Sequence, residues 1–194
     1  MAQNNRQIIE KAAIALRNGE LVALPTETVY GIGVDALNEN AIARLRQVKN
    51  RENTQAISVL IASIDDMKTW AREIPDTALA LAEQHWPGPL TIVLKKKGGV
   101  SDSLTGGTDT IGLRVPDHPF TLEIIKTLGN GIAAPSANRK GEASPTTAEE
   151  VKSALGHDVD LIIDGGPCTH GTGSTIVDLT GDTPKVLRQG SIEI

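Results

Sequence analysis

The side chains of this chain best suited to chemistry fall in short polar clusters: Thr26-Glu27-Thr28, Lys49-Asn50-Arg51, Arg114 in GLRVP, Ser136-Ala137-Asn138, Ser174-Thr175, and Arg188 in LRQG. Each cluster stands at a junction between an element and a loop, which is where open α/β sheets gather their ligands. Taken singly, each has an ordinary structural explanation. Threonines after a strand form turns, basic residues at a helix end complement its dipole, and Ser-x-Asn is a common cap. Pooled, they supply four cationic side chains, several neutral hydroxyl and amide groups, and a single carboxylate, Glu27. That inventory suits anions, because arginine grips a carboxylate or phosphate bidentately and lysine acts as a point charge. A nucleoside triphosphate with a second anionic substrate would use all of it.

Other chemistries fit the sequence less well. GGPCTHGTGST spaces Gly166 and Gly171 as a P-loop would, but Thr172 replaces the lysine and the segment leads into a strand. Cys168 and His170 stand two residues apart in that glycine-rich loop, a poor arrangement for a nucleophile and its base. His85, His118, His157 and His170 show no metal-ligand spacing, so no protein-held metal is expected. GNG at 129–131 opens a strand and lacks the dinucleotide-binding pattern.

The positioning elements follow from periodicity. Ile8, Ile9, Ala12, Ala13 and Leu16 recur at helical spacing, and Gly19 is placed to end that helix. A short buried strand, 21–24, stops at Pro25, and TETVYGIG reads as the turn after it. Ile42, Leu45 and Val48 mark a helix face that runs into Lys49-Asn50-Arg51. Further strands are expected at 57–61, 91–94, 111–115, 131–134, 161–163, 175–179 and 185–187. Further helices are expected at 77–85, 120–128 and 147–155, and Ser63 with Asp66 looks like another helix start. KKKGGVSDSLTGGTDT reads as a polar loop. Helices and short strands alternate, and strands crowd the C-terminal end without intervening helices. The expected fold class is therefore α/β: one domain over 1–194, with a twisted, mixed parallel/antiparallel sheet flanked by helices.

Composition narrows the setting. Aromatic residues make up 2% of the chain, so the core must be built from Ala, Val, Ile and Leu, and few rings are left on which bases could stack. A net charge of −5 gives no global attraction to nucleic acid. One cysteine rules out an internal disulfide and fits a reducing compartment. The N-terminus lacks a signal-peptide core, and no apolar run approaches the roughly 20 residues of a membrane span. A cytoplasmic location with no membrane contact is expected.

LPTETVYGIGVDA, Lys49-x-Arg51, HWPGPLT, GLRVPDHP, APSANRKG, SPT, GSTIVDL and VLRQG occur in the order seen in the YrdC-like family, from about residue 5 to the end. The chain resembles the short, single-domain branch that forms threonylcarbamoyl-AMP, without the extra C-terminal domain of longer members. The resemblance implies an ATP-dependent nucleotidyltransferase with a concave, basic-lined cleft. It would join L-threonine, bicarbonate and ATP, release pyrophosphate, and pass threonylcarbamoyl-adenylate to a downstream transferase complex. That complex modifies the adenosine beside a tRNA anticodon, and tRNA contact with this chain is one expectation. Mg²⁺ would accompany ATP. By matching motif, Lys49 and Arg51 should meet the ATP phosphates and act as the catalytic cations. Ser136 and Asn138 should hold phosphate or ribose with Ser144 nearby, and Thr110 and Arg188 should face the nucleotide. Thr28, Arg114 and Ser174 should hold threonine, with Arg114 clamping its carboxylate.

The residues agree with that chemistry. A carbamate is already a nucleophile, so its attack on phosphorus needs alignment and charge neutralisation more than a strong base. The TET turn is expected to present Thr26, Glu27 and Thr28 to the cleft, with Tyr30 packed beneath and Gly31 and Gly33 letting the backbone approach ligand. The sequence departs from the family in having Glu52 where a proline commonly follows the Lys-x-Arg motif. It also lacks the histidine that many relatives carry at the end of the strand near Ala56-Ile57-Ser58-Val59-Leu60. Two other readings exist: an RNA-binding module with Lys95-Lys96-Lys97, Arg139 and Lys140 on its rim, and a paralogue with another substrate. The acidity and scarcity of aromatics disfavour the first, and the Lys-x-Arg and Ser-x-Asn pairs disfavour the second.

Overall fold

A computed structural model describes residues 2–50 and 52–194, so Arg51, one of the two expected catalytic cations, lies outside the described residues. In chain order the elements are α1 (Ala2–Arg17), β1 (Val22–Leu24), β2 (Gly31–Asp35), α2 (Glu39–Val48), β3 (Val59–Leu60), α3 (Met67–Trp70), α4 (Asp76–His85), β4 (Leu90–Lys95), α5 (Asp102–Thr105), β5 (Thr110–Arg114), α6 (Pro119–Leu128), β6 (Ile132–Ala133), α7 (Ala148–Leu155), β7 (Leu161–Ile162), β8 (Thr175–Asp178) and β9 (Lys185–Arg188). The strands form one sheet in the order β7-β1-β2-β6-β3-β5-β4-β8-β9. The β1–β7, β3–β5 and β4–β8 pairs are parallel, and the other neighbours are antiparallel. The mixed α/β sheet expected from the sequence is the one observed.

Local chemistry accounts for the element ends. The apolar stripe of α1 buries Ala12 and Leu16 against Ile124, Ile125 and Leu128 of α6. Gly19, at a φ of 80°, supplies the left-handed turn after α1 that a side chain would resist. Asn38 caps α2 by accepting the Ala41 N–H at 3.1 Å, and Ile42 and Leu45 fill the core behind it. Pro119 opens α6 and Gly129, at a φ of 87°, closes it.

Two expectations need correction. Residues 31–33, taken as the tail of a turn, open β2 (Gly31–Asp35), which lies between β1 and β6. Its two glycines lower strand propensity and hide the pattern in the sequence. Gly31 lines the cavity described below and Gly33 does not. A Cβ at Gly33 would lie 2.7 Å from Ile132 Cγ2 and 3.0 Å from Leu24 Cδ1, so glycine is what lets three strands pack. In the stretch read as a polar loop, α5 forms where Ser101 accepts the Ser103 N–H and Gly106 turns left-handed.

Gly33→Ala is expected to destabilise the fold by about 1–3 kcal/mol through overpacking. Urea denaturation would measure it, and an unchanged midpoint would contradict this account of β2.

Candidate functional site

The C-terminal ends of β1, β5, β6 and β9 and the N-terminal ends of β4 and β8 converge around a cavity of about 320 Å³. Of the expected site residues, Thr28, Arg114, Ser136, Ser144, Ser174 and Arg188 line it. Leu60, Ala134 and Ile176 give it an apolar wall.

The turn after β1 is knitted by its first threonine. Thr26 Oγ1 donates to the Val29 carbonyl at 2.6 Å, receives the Thr28 N–H at 3.2 Å, and lies 2.9 Å from Thr28 Oγ1. Tyr30 is fully buried beneath the turn, its hydroxyl donating to the Gly166 carbonyl and accepting the Gly165 N–H. The glycine-rich loop then lies across the turn, with the His170 and Gly171 N–H groups donating to the Glu27 and Thr28 carbonyls at 2.9 Å.

Arg114, at the end of β5, is held from several sides. Its Nη2 donates to Thr28 Oγ1 at 2.9 Å, its Nε donates to the Gly88 carbonyl at 3.1 Å, and its Nη2 lies 2.7 Å from Glu27 Oε1. The Glu27 and Arg114 side chains are only 6% and 8% exposed, so this ion pair is buried. Glu27 was expected to face the cleft with its two threonines. Instead its carboxylate turns to Arg114 and does not line the cavity. A buried carboxylate needs a cation, and the nearest is the guanidinium.

Arg188 donates from Nε and Nη2 to the Ser174 carbonyl at 3.1 and 2.7 Å. Burial, and then the nearby charge of Arg114, holds its guanidinium below the ordinary arginine range. Two arginines thus share one cavity, and the charge of Arg114 is balanced by Glu27. Thr91, which the sequence reading passed over, lines the cavity and lies 2.7 Å from Ser174 Oγ. Its signal was the threonine ending HWPGPLT, a polar side chain entering an otherwise apolar strand.

Of the remaining expected residues, the described ones, Lys49, Asn138 and Thr110, do not line this cavity. Lys49, buried at the end of α2, donates from Nζ to the Ser136 carbonyl at 2.7 Å and to Asn138 Oδ1 at 3.2 Å. It is thereby fastened to the Ser136-Ala137-Asn138 loop behind the cavity wall. Asn138 takes the Ser136 hydroxyl on Oδ1 and gives Nδ2 to the Glu142 carbonyl. Thr110 shares the β5 face of Arg114 but starts the strand, roughly 13 Å away at the usual rise, and does not line the cavity. Arg46 donates to the Glu52, Gln55 and Ser103 carbonyls, which fixes the segment after α2. Glu52 itself is exposed, 3.5 Å from Lys140 Nζ. Among the described residues, no group of three or more His, Cys, Asp or Glu side chains could hold a metal ion.

Residues 14–190 match the Sua5/YciO/YrdC family model, whose description is telomere recombination. The chain belongs to the Sua5/YciO/YrdC family. It is 43% identical over 196 residues to the threonylcarbamoyl-AMP synthase of Pyrococcus abyssi, covering 98% of this chain and 58% of that protein. It is 40% identical over 193 residues to the threonylcarbamoyl-AMP synthase of Bacillus subtilis, covering 99% and 56%. The crystal structure of P. abyssi Sua5 complexed with L-threonine matches with a TM-score of 0.92 and 45% identity, over 94% of this chain and 54% of that one. The chain therefore spans somewhat more than half the length of these Sua5-family relatives. No helix among its described residues is long and apolar enough to cross a membrane.

Within this Sua5/YciO/YrdC domain, Cys168 has the surroundings of an unreactive thiol. Burial, and then the nearby carboxylates of Glu27 and Glu150, raise its pKa, although a backbone hydrogen bond to Thr26 acts the other way. Iodoacetamide should therefore alkylate Cys168 more slowly at neutral pH than a free cysteine, with the rate rising only above the usual thiol range. Rapid alkylation of folded protein at pH 7 would contradict the assignment.

Proposed function

We propose that this chain is a cytoplasmic threonylcarbamoyl-AMP synthase domain, converting L-threonine, bicarbonate and ATP to L-threonylcarbamoyladenylate and pyrophosphate. The observation that carries the reading is the pairing of Arg114 and Arg188 with the neutral hydroxyls of Thr28, Ser174, Ser136 and Ser144 around one cavity. Such a lining suits substrates that arrive as anions and need alignment. The names of the relatives and the P. abyssi complex with L-threonine support the same choice.

In this reading Arg114 takes the threonine carboxylate, with Thr28 and Ser174 beside it. The neutral threonine amine attacks the carbon of bicarbonate and water is lost to give a carbamate, whose oxygen attacks the α-phosphorus of ATP as pyrophosphate leaves. Lys49, Arg51 and Arg188 offset charge on the phosphates. Ser136, Asn138 and Ser144 hold the nucleotide, and Thr110 meets its outer part. Mg²⁺ belongs to the nucleotide substrate. It favours phosphate oxygens and water over a protein cage, and it would neutralise the leaving pyrophosphate. The adenylate then passes to a threonylcarbamoyl transferase complex that modifies tRNA, and any tRNA contact of this chain belongs to that hand-over.

Purified protein with ATP and Mg²⁺ should release pyrophosphate only when both L-threonine and bicarbonate are present. Release without threonine would point to another acid as substrate, and no release from protein that binds ATP would favour a binding module. Lys49→Ala and Arg51→Ala should each lower kcat by about a hundredfold or more. Both variants should keep the wild-type circular dichroism spectrum. Wild-type turnover in either would remove that residue from the phosphate site.

A further inference from the structure

Glu27 is buried beside the cavity without lining it. Its Oε2 accepts the Asp117 N–H at 3.0 Å, which ties the carboxylate to the loop leaving β5. Its Oε1 lies 2.7 Å from Arg114 Nη2 but off the N–H direction, and has no hydrogen-bond partner among the described residues. The attraction is therefore mainly between charges. Thr28 Oγ1 and the Gly88 carbonyl take the aligned hydrogen bonds of Nη2 and Nε. Contacts from the turn after β1 and from the start of β4 thus fix the guanidinium plane. Among the described residues, Nη1 has no hydrogen-bond partner within the protein.

An arginine beside a second arginine, Arg188, at the same cavity would otherwise be pushed away or left to sample several rotamers. A fixed counter-charge removes both problems and leaves the guanidinium ready before the ligand arrives. Affinity gained in this way comes from preorganisation.

We propose that Glu27 is a positioning residue for the carboxylate-bearing substrate, holding Arg114 in a single orientation without touching that substrate itself. This rests on the reading of Arg114 as the clamp for the threonine carboxylate. The effect should be confined to that substrate, because the Glu27 carboxylate reaches the Ser136-Ala137-Asn138 loop through no hydrogen bond or ion pair among the described residues.

Steady-state pyrophosphate release by wild type, Glu27→Gln and Glu27→Asp tests the proposal. Glu27→Gln keeps the shape and removes the charge, so its KM for threonine should rise about tenfold or more. Its KM for ATP should stay within about twofold. Glu27→Asp keeps the charge one methylene back and should recover part of the loss. In an Arg114→Ala background, Glu27→Gln should add little, because its only route to substrate is gone. An unchanged threonine KM in folded Glu27→Gln, or equal increases for threonine and ATP, would overturn the proposal. If Glu27→Gln does not fold, a wild-type threonine KM in Glu27→Asp would overturn it equally. Threonine-independent release by the wild type would instead overturn the underlying reading, and this inference with it.

Discussion

The buried pair of Glu27 and Arg114 joins two parts of the sheet that do not touch as strands. Glu27 leaves β1 and Arg114 ends β5, and β2, β6 and β3 lie between them. Removing two charges from water costs several kcal/mol per ion, which the mutual attraction only roughly offsets. The pair is therefore poorly explained as a source of stability. It is better explained as a constraint. For the charges to meet, the turn after β1 must fold back over the strand ends, and Thr26 closes that turn with its own hydroxyl. Tyr30 and the glycine-rich loop then hold the turn from beneath and above.

The other side of the cavity obeys the same logic with a different balance. Arg188 has carbonyl and hydroxyl partners from Ser174, and among the described residues no carboxylate pairs with it. Lys49, by contrast, spends its donors on the Ser136-Ala137-Asn138 loop. Arg114 is paired with a carboxylate, Arg188 with a carbonyl and a hydroxyl, and Lys49 with the Ser136 carbonyl and the Asn138 amide oxygen. The three roles differ although the sequence presents three similar basic residues.

Much of this was legible in the sequence where local chemistry decides the outcome. The end of α1 follows from Gly19, the apolar faces of α1 and α2 from their helical spacing, and most strands from short apolar runs. The segments carrying Thr28, Arg114, Ser136, Ser174 and Arg188 also meet at one cavity. What was not legible depends on partners distant in sequence. Gly33 belongs to a strand because Ile132 and Leu24 leave no room for a side chain, and neither neighbour is visible from the GIGVD segment. The direction of Glu27 is set by Arg114, 87 residues further on, and Thr91 gains its place only when β8 brings Ser174 beside it.

The central claim is that Arg114, held ready by Glu27 and Thr28, anchors a substrate carboxylate in this cavity. Soaking crystals of the protein with L-threonine in the absence of nucleotide would test it most directly. The amino acid should occupy the cavity with a carboxylate oxygen within hydrogen-bond distance of the Arg114 guanidinium, and Glu27 should keep its present contact. Threonine bound with its carboxylate on Arg188 or outside the cavity, with Arg114 still turned to Glu27, would contradict the account.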